Sequence, residues 1–344
     1  MDNTTYERID GITRAALAGT PMSAEDGRWM IRLDDDYLPW LMAGADRIRK
    51  TFRGNEIEVC AISNVRSGNC SENCSFCAQS GHHKTAAPTY NYISSDQLVA
   101  QAERARSWGV ADFGIVSKGW GVRTDKERAQ LREYLGEMNQ RSDVGRCASL
   151  GALDKDTAVM LKEMGLENYH HNLECAESFF DQVCTTHTYQ ENIDTIRNAV
   201  DAGLRVCAGG ILGMGESLDQ RIELAETLRK LGVESVPMNF LNPAKGTPMG
   251  DRTPLTPQEI LKGIAVFRYM LPKAEIRIAG GRQFLGDMQS MIFMAGASGI
   301  MIGDYLTTKG RQVEDDLAML DALKLNRRGD TQQRRAKHQA DAAA

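Results

Sequence analysis

Three cysteines fall within eight residues, in Cys70-Ser-Glu-Asn-Cys74-Ser-Phe-Cys77. Thiolates this close along one loop can wrap a single metal centre. A cubane of four irons held by three protein thiolates keeps one iron open for a substrate or cofactor, so the spacing points to catalysis. The alternative is a structural zinc ion, which takes four tetrahedral sulfur or nitrogen ligands, with His82 or His83 as the fourth. Zinc knuckles usually pair two-residue gaps. Here the gaps are three residues and then two, with Phe76 before the last cysteine.

Three more cysteines sit in short β-branched or small-residue runs: Cys60 in Val-Cys-Ala-Ile-Ser, Cys147 in Arg-Cys-Ala-Ser-Leu and Cys207 in Val-Cys-Ala-Gly-Gly. Arg277 lies in Ile-Arg-Ile-Ala-Gly. These runs read as the first, third, fifth and seventh strands of a barrel, where one interior layer takes its four side chains from alternate strands. One layer can therefore hold all four. A single buried cysteine is ordinarily inert core. An arginine between isoleucines is different, because burying it is costly unless it meets an anion, and a thiolate-ligated cluster is anionic. The sequence thus predicts a second iron-sulfur cluster, ligated by Cys60, Cys147 and Cys207 with Arg277 beside it. Cys175 and Cys184 read as ordinary thiols, His82 and His83 as solvated loop residues, and Arg282 as an exposed arginine at a strand end.

The elements that position these residues follow from a repeated pattern. Strand candidates at 57–63, 112–117, 145–150, 168–173, 205–211, 235–241, 275–280 and 299–303 alternate with amphipathic stretches. A glycine marks the return from helix to strand at Gly109, Gly165, Gly203, Gly232 and Gly296, where a residue tolerating the left-handed region ends a helix. Ile193, Ile196, Val200 and Leu204 mark the buried stripe of one outer helix, and Leu218, Ile222, Ala225 and Leu228 that of another. Eight strands alternating with helices favour a closed parallel (β/α)8 barrel of the TIM type over an open sheet. The expected organisation is an N-terminal helical extension over 1–52, a barrel over 53–326 and a disordered tail over 327–344. The cysteine loop follows the first strand and so belongs at the catalytic, C-terminal face.

Composition excludes several classes. The 344 residues are 42% hydrophobic and 25% charged, with 41 Lys and Arg against 46 Asp and Glu, a net charge of −5. No basic cluster interleaved with aromatics recommends nucleic acid. No apolar stretch reaches the about 18 to 20 residues that span a bilayer. The polar N-terminus lacks a signal peptide's apolar core, so the expected compartment is the reducing cytoplasm, where eight cysteines imply metal ligation or reactive thiols rather than disulfides.

The cysteine loop resembles the signature of radical S-adenosylmethionine enzymes. Further segments resemble one family among them, biotin synthase: residues 70–79, Tyr169-His-His-Asn-Leu-Glu174, Thr185-Thr-His-Thr-Tyr-Gln190, residues 206–216, Asn239-Phe-Leu-Asn-Pro243, residues 245–248, Arg277-Ile-Ala-Gly-Gly-Arg282 and Leu306-Thr-Thr308. The resemblance runs from about Cys60 to Leu323. It implies a 4Fe-4S cluster on Cys70, Cys74 and Cys77, whose open iron chelates S-adenosylmethionine and cleaves it to a hydrogen-abstracting deoxyadenosyl radical. It further implies insertion of sulfur into dethiobiotin, with an auxiliary iron-sulfur cluster (2Fe-2S or a variant) as sulfur donor. Carried over by residue, Asn172 and Glu174 would hold the ribose, and Gly209, Gly210 and Glu216 would line the cofactor site. Asn172 and Asn239 would bind the ureido ring, with Thr307 and Thr308 near the carboxylate tail. The implied partners are a flavodoxin or ferredoxin as electron donor and a second copy of the chain in a homodimer.

This sequence departs from the better-known members at the second site. They carry a cysteine on the second strand, where this chain has Phe113-Gly114-Ile115, and a serine where it has Cys60. His170 replaces an asparagine, and Asn192 an arginine expected near the methionyl carboxylate. The pattern resembles the variant form found in anaerobes. Two other readings compete: a related maturase acting on another substrate, and a zinc-stabilised scaffold without catalysis.

Overall fold

The computed structural model describes residues 2–330. Its chain is a parallel barrel built from β1 (Glu56–Arg66), β2 (Asp112–Ser117), β3 (Gly145–Ser149), β4 (Asn168–His170), β5 (Arg205–Cys207), β6 (Gly210–Leu212), β7 (Ser235–Phe240), β8 (Glu275–Ile278) and β9 (Gly299–Met301). β1 pairs with both β2 and β9, which closes the ring. The fifth strand, expected as one run over 205–211, is broken into β5 and β6, and both pair with β7. The cause is a close approach. A Cβ on Gly209 would stand 1.9 Å from the Pro237 carbonyl oxygen, so only glycine lets the backbone step past β7 there.

The five junction glycines all adopt positive φ, from 67° to 102°, as the helix-to-strand reading requires. The outer helices start on side-chain caps. Capping boxes open α4 (Ser95–Ser107), α5 (Asp125–Arg141), α7 (Tyr189–Asp201), α8 (Leu218–Lys230) and α9 (Pro257–Met270), while Asp154 caps α6 (Lys155–Glu163). Ile222, Ala225 and Leu228 of α8 are fully buried, as their spacing predicted. α7 differs. Val200 is exposed, and the buried stripe runs through Asn192, Thr195, Ile196 and Ala199. The two polar members are tolerated because Asn192 Oδ1 meets His171 Nε2 at 2.9 Å and Thr195 Oγ1 accepts from Leu153 N at 3.2 Å.

Ahead of the barrel, α1 (Asn3–Leu17), α2 (Ala24–Met30) and α3 (Leu38–Arg53) pack against α9 and α8. Arg53, at the end of α3, donates to Glu275 at the start of β8. Behind the barrel, β10 (Asn326–Arg327) pairs with Glu56 and Ile57, and Arg328 donates to Glu58 at 2.9 Å. The segment expected as a tail from 327 thus begins as an edge strand that closes the N-terminal mouth. Residues 331–344 lie outside the described residues. Among those described, no helix is long and apolar enough to cross a membrane.

Candidate active site in the barrel lumen

Register places the second-site residues. Cys60 is level with Asp112 and, through it, with Gly145; two residues on is Cys147. Cys147 is level with Asn168 and Arg205, and two residues on is Cys207. From Cys207 the ladder runs through Ser235 to Glu275, and two residues on is Arg277. From Arg277 it runs through Gly299 to Glu58, and two residues on is Cys60 again. Equal advances that return to their starting residue define one interior layer of a closed barrel. Cys60, Cys147, Cys207 and Arg277 occupy it, and all four line a lumen cavity of about 340 Å³. Gly114 lines the same cavity.

Arg277 does not depend on a cluster for its counter-charge. Its Nη2 donates to Glu58, in a short ion pair, and to Glu275 at 3.1 Å. Nη1 points to Cys207 Sγ at 3.4 Å, and Nε has no hydrogen-bond partner among the described residues. Burial alone would raise Glu58, but Arg277, then a hydrogen bond with Glu275, then Arg328 override it and hold this carboxyl well below the usual range. Burial, followed by the neighbouring Glu58, pushes Glu275 up. Burial also pushes the Cys60 thiol up to about 12, Cys147 well above its ordinary value and Cys207 upward. With Arg277 already beside Cys207 the three thiols are still raised, so a thiolate in this layer needs further positive charge, which a bound metal would supply.

The cysteine loop leaves β1 at the C-terminal end of the barrel, and Phe76 lines the lumen cavity beside the four layer residues. The loop is pinned at both sides: Cys70 N donates to Gln79 O at 2.9 Å, Gly81 N to Cys70 O at 2.8 Å, and Ser75 N to Val183 O at 2.8 Å. Cys70, Cys74 and Cys77 are all partly exposed free thiols. They do not form a compact set for one ion, since among the described residues the one group of three donors within 4.8 Å is Cys74, Cys184 and His187. His82 Nε2 meets Ser71 O and His83 Nε2 meets Cys74 O, so both Nε2 atoms are taken up by backbone carbonyls. Among the described residues the three loop thiols thus form no compact Cys3His set with His82 or His83, as a structural zinc would need.

Asn172, Glu174, Asn239, Thr307 and Thr308 also line the cavity. Asn172 Oδ1 accepts from Gly209 N at 3.1 Å, and its Nδ2 donates to Glu174 Oε2 at 3.3 Å. Asn239 Oδ1 accepts from Gly280 N at 2.9 Å while its Nδ2 faces Gly210 O at 3.3 Å. Both amides are thus pre-oriented by backbone. Glu174 has φ +66°, a sparsely populated conformation of the kind that clusters at functional sites, and its carbonyl accepts from Ile211 N at 2.7 Å. Burial pushes its carboxyl up to about 7. Gly209 and Gly210 shape the wall behind Asn172 and Glu174. Glu216 stands apart from the cavity, buried, accepting from Gly213 N and Arg221 Nε, both at 2.8 Å.

Two expectations are corrected here. Arg282 is buried and forms a bidentate pair with fully buried Asp316, 34 residues away, so it is a structural tie and no exposed strand end. Cys184 is no isolated thiol: its Sγ is 3.8 Å from Cys74 Sγ and 3.2 Å from His187 Nδ1. Its sequence neighbourhood, Cys184-Thr-Thr-His187, carried the signal in a cysteine and a histidine three residues apart. Cys175 is buried, donating to Ala176 O at 3.3 Å, and His170 lines the lumen.

A barrel with an open thiolate loop over its C-terminal mouth defines a radical S-adenosylmethionine protein, and residues 64–228 match the Radical SAM superfamily. Residues 237–326 match the Biotin and Thiamin Synthesis associated domain. The chain belongs to the biotin synthase family. It is 48% identical to the biotin synthase of Syntrophotalea carbinolica over 93% of this chain and 97% of that protein. It is 45% identical to that of Geotalea uraniireducens over 95% of this chain and 98% of the relative. Among solved structures the fold is shared with methylornithine synthase (TM-score 0.82, 16% identity, 94% of this chain and 99% of that one). It is also shared with an FeFe-hydrogenase maturase from Carboxydothermus hydrogenoformans (TM-score 0.76, 17% identity, 94% and 80%).

Proposed function

We propose that the chain inserts sulfur into dethiobiotin to form biotin, with Cys70, Cys74 and Cys77 holding the 4Fe-4S cluster and Cys60, Cys147 and Cys207 the auxiliary cluster beside Arg277. The observation that carries this reading is that the cysteine layer, Phe76 of the thiolate loop and the Asn172–Glu174 segment all line one cavity. When bound, S-adenosylmethionine on the reduced cluster supplies the hydrogen-abstracting radical, and the auxiliary cluster supplies sulfur. The chain's own residues do the rest. Asn172 and Asn239 present amides already fixed by backbone hydrogen bonds, which orients a polar ring at little entropic cost. Thr307 and Thr308 offer hydroxyls to a carboxylate. The cavity lining is mainly apolar, which limits water beside a reactive species. Arg277 turns Nη1 to Cys207 Sγ, one of the residues that would hold the auxiliary cluster, while Glu58 and Glu275 fix Nη2.

Cytoplasmic placement is supported by eight free cysteines. A flavodoxin or ferredoxin reductant and a homodimer rest on the family resemblance. The test is anaerobic reconstitution of the full chain with iron and sulfide, followed by mass spectrometry of the products formed with dethiobiotin, S-adenosylmethionine and a reductant. Biotin and dethiobiotin-dependent deoxyadenosine are expected. Deoxyadenosine formed without any biotin would point to another substrate.

A further inference from the structure

Cys184 and His187 have no role in the function proposed above, yet with Cys74 they form the one compact donor set among the described residues: Sγ, Sγ and Nδ1 all lie within 4.8 Å of one another. We infer that in the cluster-free chain these three side chains hold a single divalent transition-metal ion, ferrous iron or zinc. The spacing is that of a mononuclear site. Two thiolates at about 2.3 Å from a zinc, at the tetrahedral angle, stand about 3.8 Å apart. Cys74 and Cys184 Sγ are 3.8 Å apart.

A second observation points the same way. A ring nitrogen carries at most one proton, but His187 Nδ1 faces two electron-rich atoms, Cys184 Sγ at 3.2 Å and Glu72 Oε2 at 2.8 Å. Cys74 Sγ also turns to Cys184 Sγ, so two sulfurs and a ring nitrogen converge where one cation can serve all three, with Glu72 beside the ring. The ring is held for this. It stacks on Trp120 with centroids 3.9 Å apart and meets Phe180 edge-on. Cys184 is 3% exposed, and Glu72 is fixed by Thr186 Oγ1 at 2.6 Å. The segments that carry the donors are already interlocked, with Asn73 Nδ2 donating to Thr185 Oγ1 at 2.6 Å and Thr185 N to Asn73 Oδ1 at 3.0 Å. Binding releases to solvent the Cys74 thiol proton and whichever proton Cys184 and His187 share, and changes no oxidation state.

Cys74 is shared with the proposed cleavage cluster, so ion and cluster exclude each other, a consequence that rests on the functional reading above. Ferrous iron at this position is already beside the loop that needs it; zinc there blocks the loop.

The experiment titrates cluster-free, full-length chain with cobalt(II), a probe whose thiolate charge-transfer and tetrahedral d–d absorption report the ligand set. Wild type, Cys70→Ala and Cys77→Ala are expected to bind one equivalent that Cys184→Ser and His187→Gln lose, each at least about tenfold weaker, with metal-free thermal unfolding confirming that the variants fold. On the unmutated chain, zinc is expected to shield Cys74 and Cys184 from alkylation, read by peptide mass spectrometry, more than Cys70 and Cys77. Undiminished cobalt binding in Cys184→Ser, or zinc shielding of Cys70, Cys74 and Cys77 alike with Cys184 unprotected, would overturn the site. Neither readout involves dethiobiotin, so a failed turnover assay leaves this result standing, and the reverse holds as well.

Discussion

Arg277 joins register, burial and charge at one residue. Its burial demands an anion, and the sequence reading assigned that role to a cluster; the structure supplies Glu58 and Glu275 as well. Both were legible in principle, because side chains two apart on a strand share a face. Glu275 precedes Arg277 by two residues and Glu58 precedes Cys60 by two. Glu58→Gln removes one of two carboxylates from a buried guanidinium. Because Glu275 remains, the expected loss is about 1–3 kcal/mol, below the cost of stranding the charge outright. Differential scanning calorimetry of the full chain checks it, and an unchanged unfolding temperature would mean Glu58 does not anchor Arg277. Glu174 gives a pH-dependent case. Burial raises its folded pKa to about 7 from the ordinary 4.5, so ionisation is penalised in the fold. The associated stability is fully present below 4.5 and is lost as pH rises through 7. Glu174→Gln, which keeps an acceptor for Asn172, should match wild type at pH 4.5 and unfold a few degrees higher at pH 8. The difference is about 1–3 kcal/mol, given the residue's partial exposure. Equal melting at both values would contradict the buried-carboxyl account.

Among the elements, the helix ends and the strands were the most legible, because each is governed by a local rule. Five glycines at helix ends announced five returns to the sheet, and all five have positive φ. The break between β5 and β6 was not legible, since Gly209-Gly210 reads equally as flexible strand and as interruption; the Pro237 carbonyl decides it, from a neighbouring strand. The Arg282–Asp316 pair and the Cys74–Cys184 approach likewise join residues 34 and 110 apart in sequence, beyond any local pattern. On β1, Cys60 is the element-scale test of the moved ligand set. Cys60→Ser should leave the loop cluster's iron, sulfide and S-adenosylmethionine cleavage intact while changing the lumen cluster's absorption and lowering iron content. An identical spectrum and iron count would make Cys60 ordinary core.

At the scale of the whole molecule, barrel closure brings the two cysteine sets together. β1 carries Cys60 inside and the loop with Cys70, Cys74 and Cys77 at its end, while pairing with β2 and β9 closes the ring around the layer. Arg53 and Arg328 seal the opposite mouth through Glu275 and Glu58. Within such a chamber a carbon radical must meet sulfur at contact distance before it is quenched, and a positioned sulfide meets that need far better than a diffusing one. The decisive measurement is therefore isotopic. The lumen cluster is rebuilt with heavy sulfide, excess is removed, and a single turnover with dethiobiotin is analysed by mass spectrometry. Heavy sulfur in the biotin formed is the expected result; biotin carrying only light sulfur would contradict the donor role of the Cys60, Cys147, Cys207 and Arg277 layer.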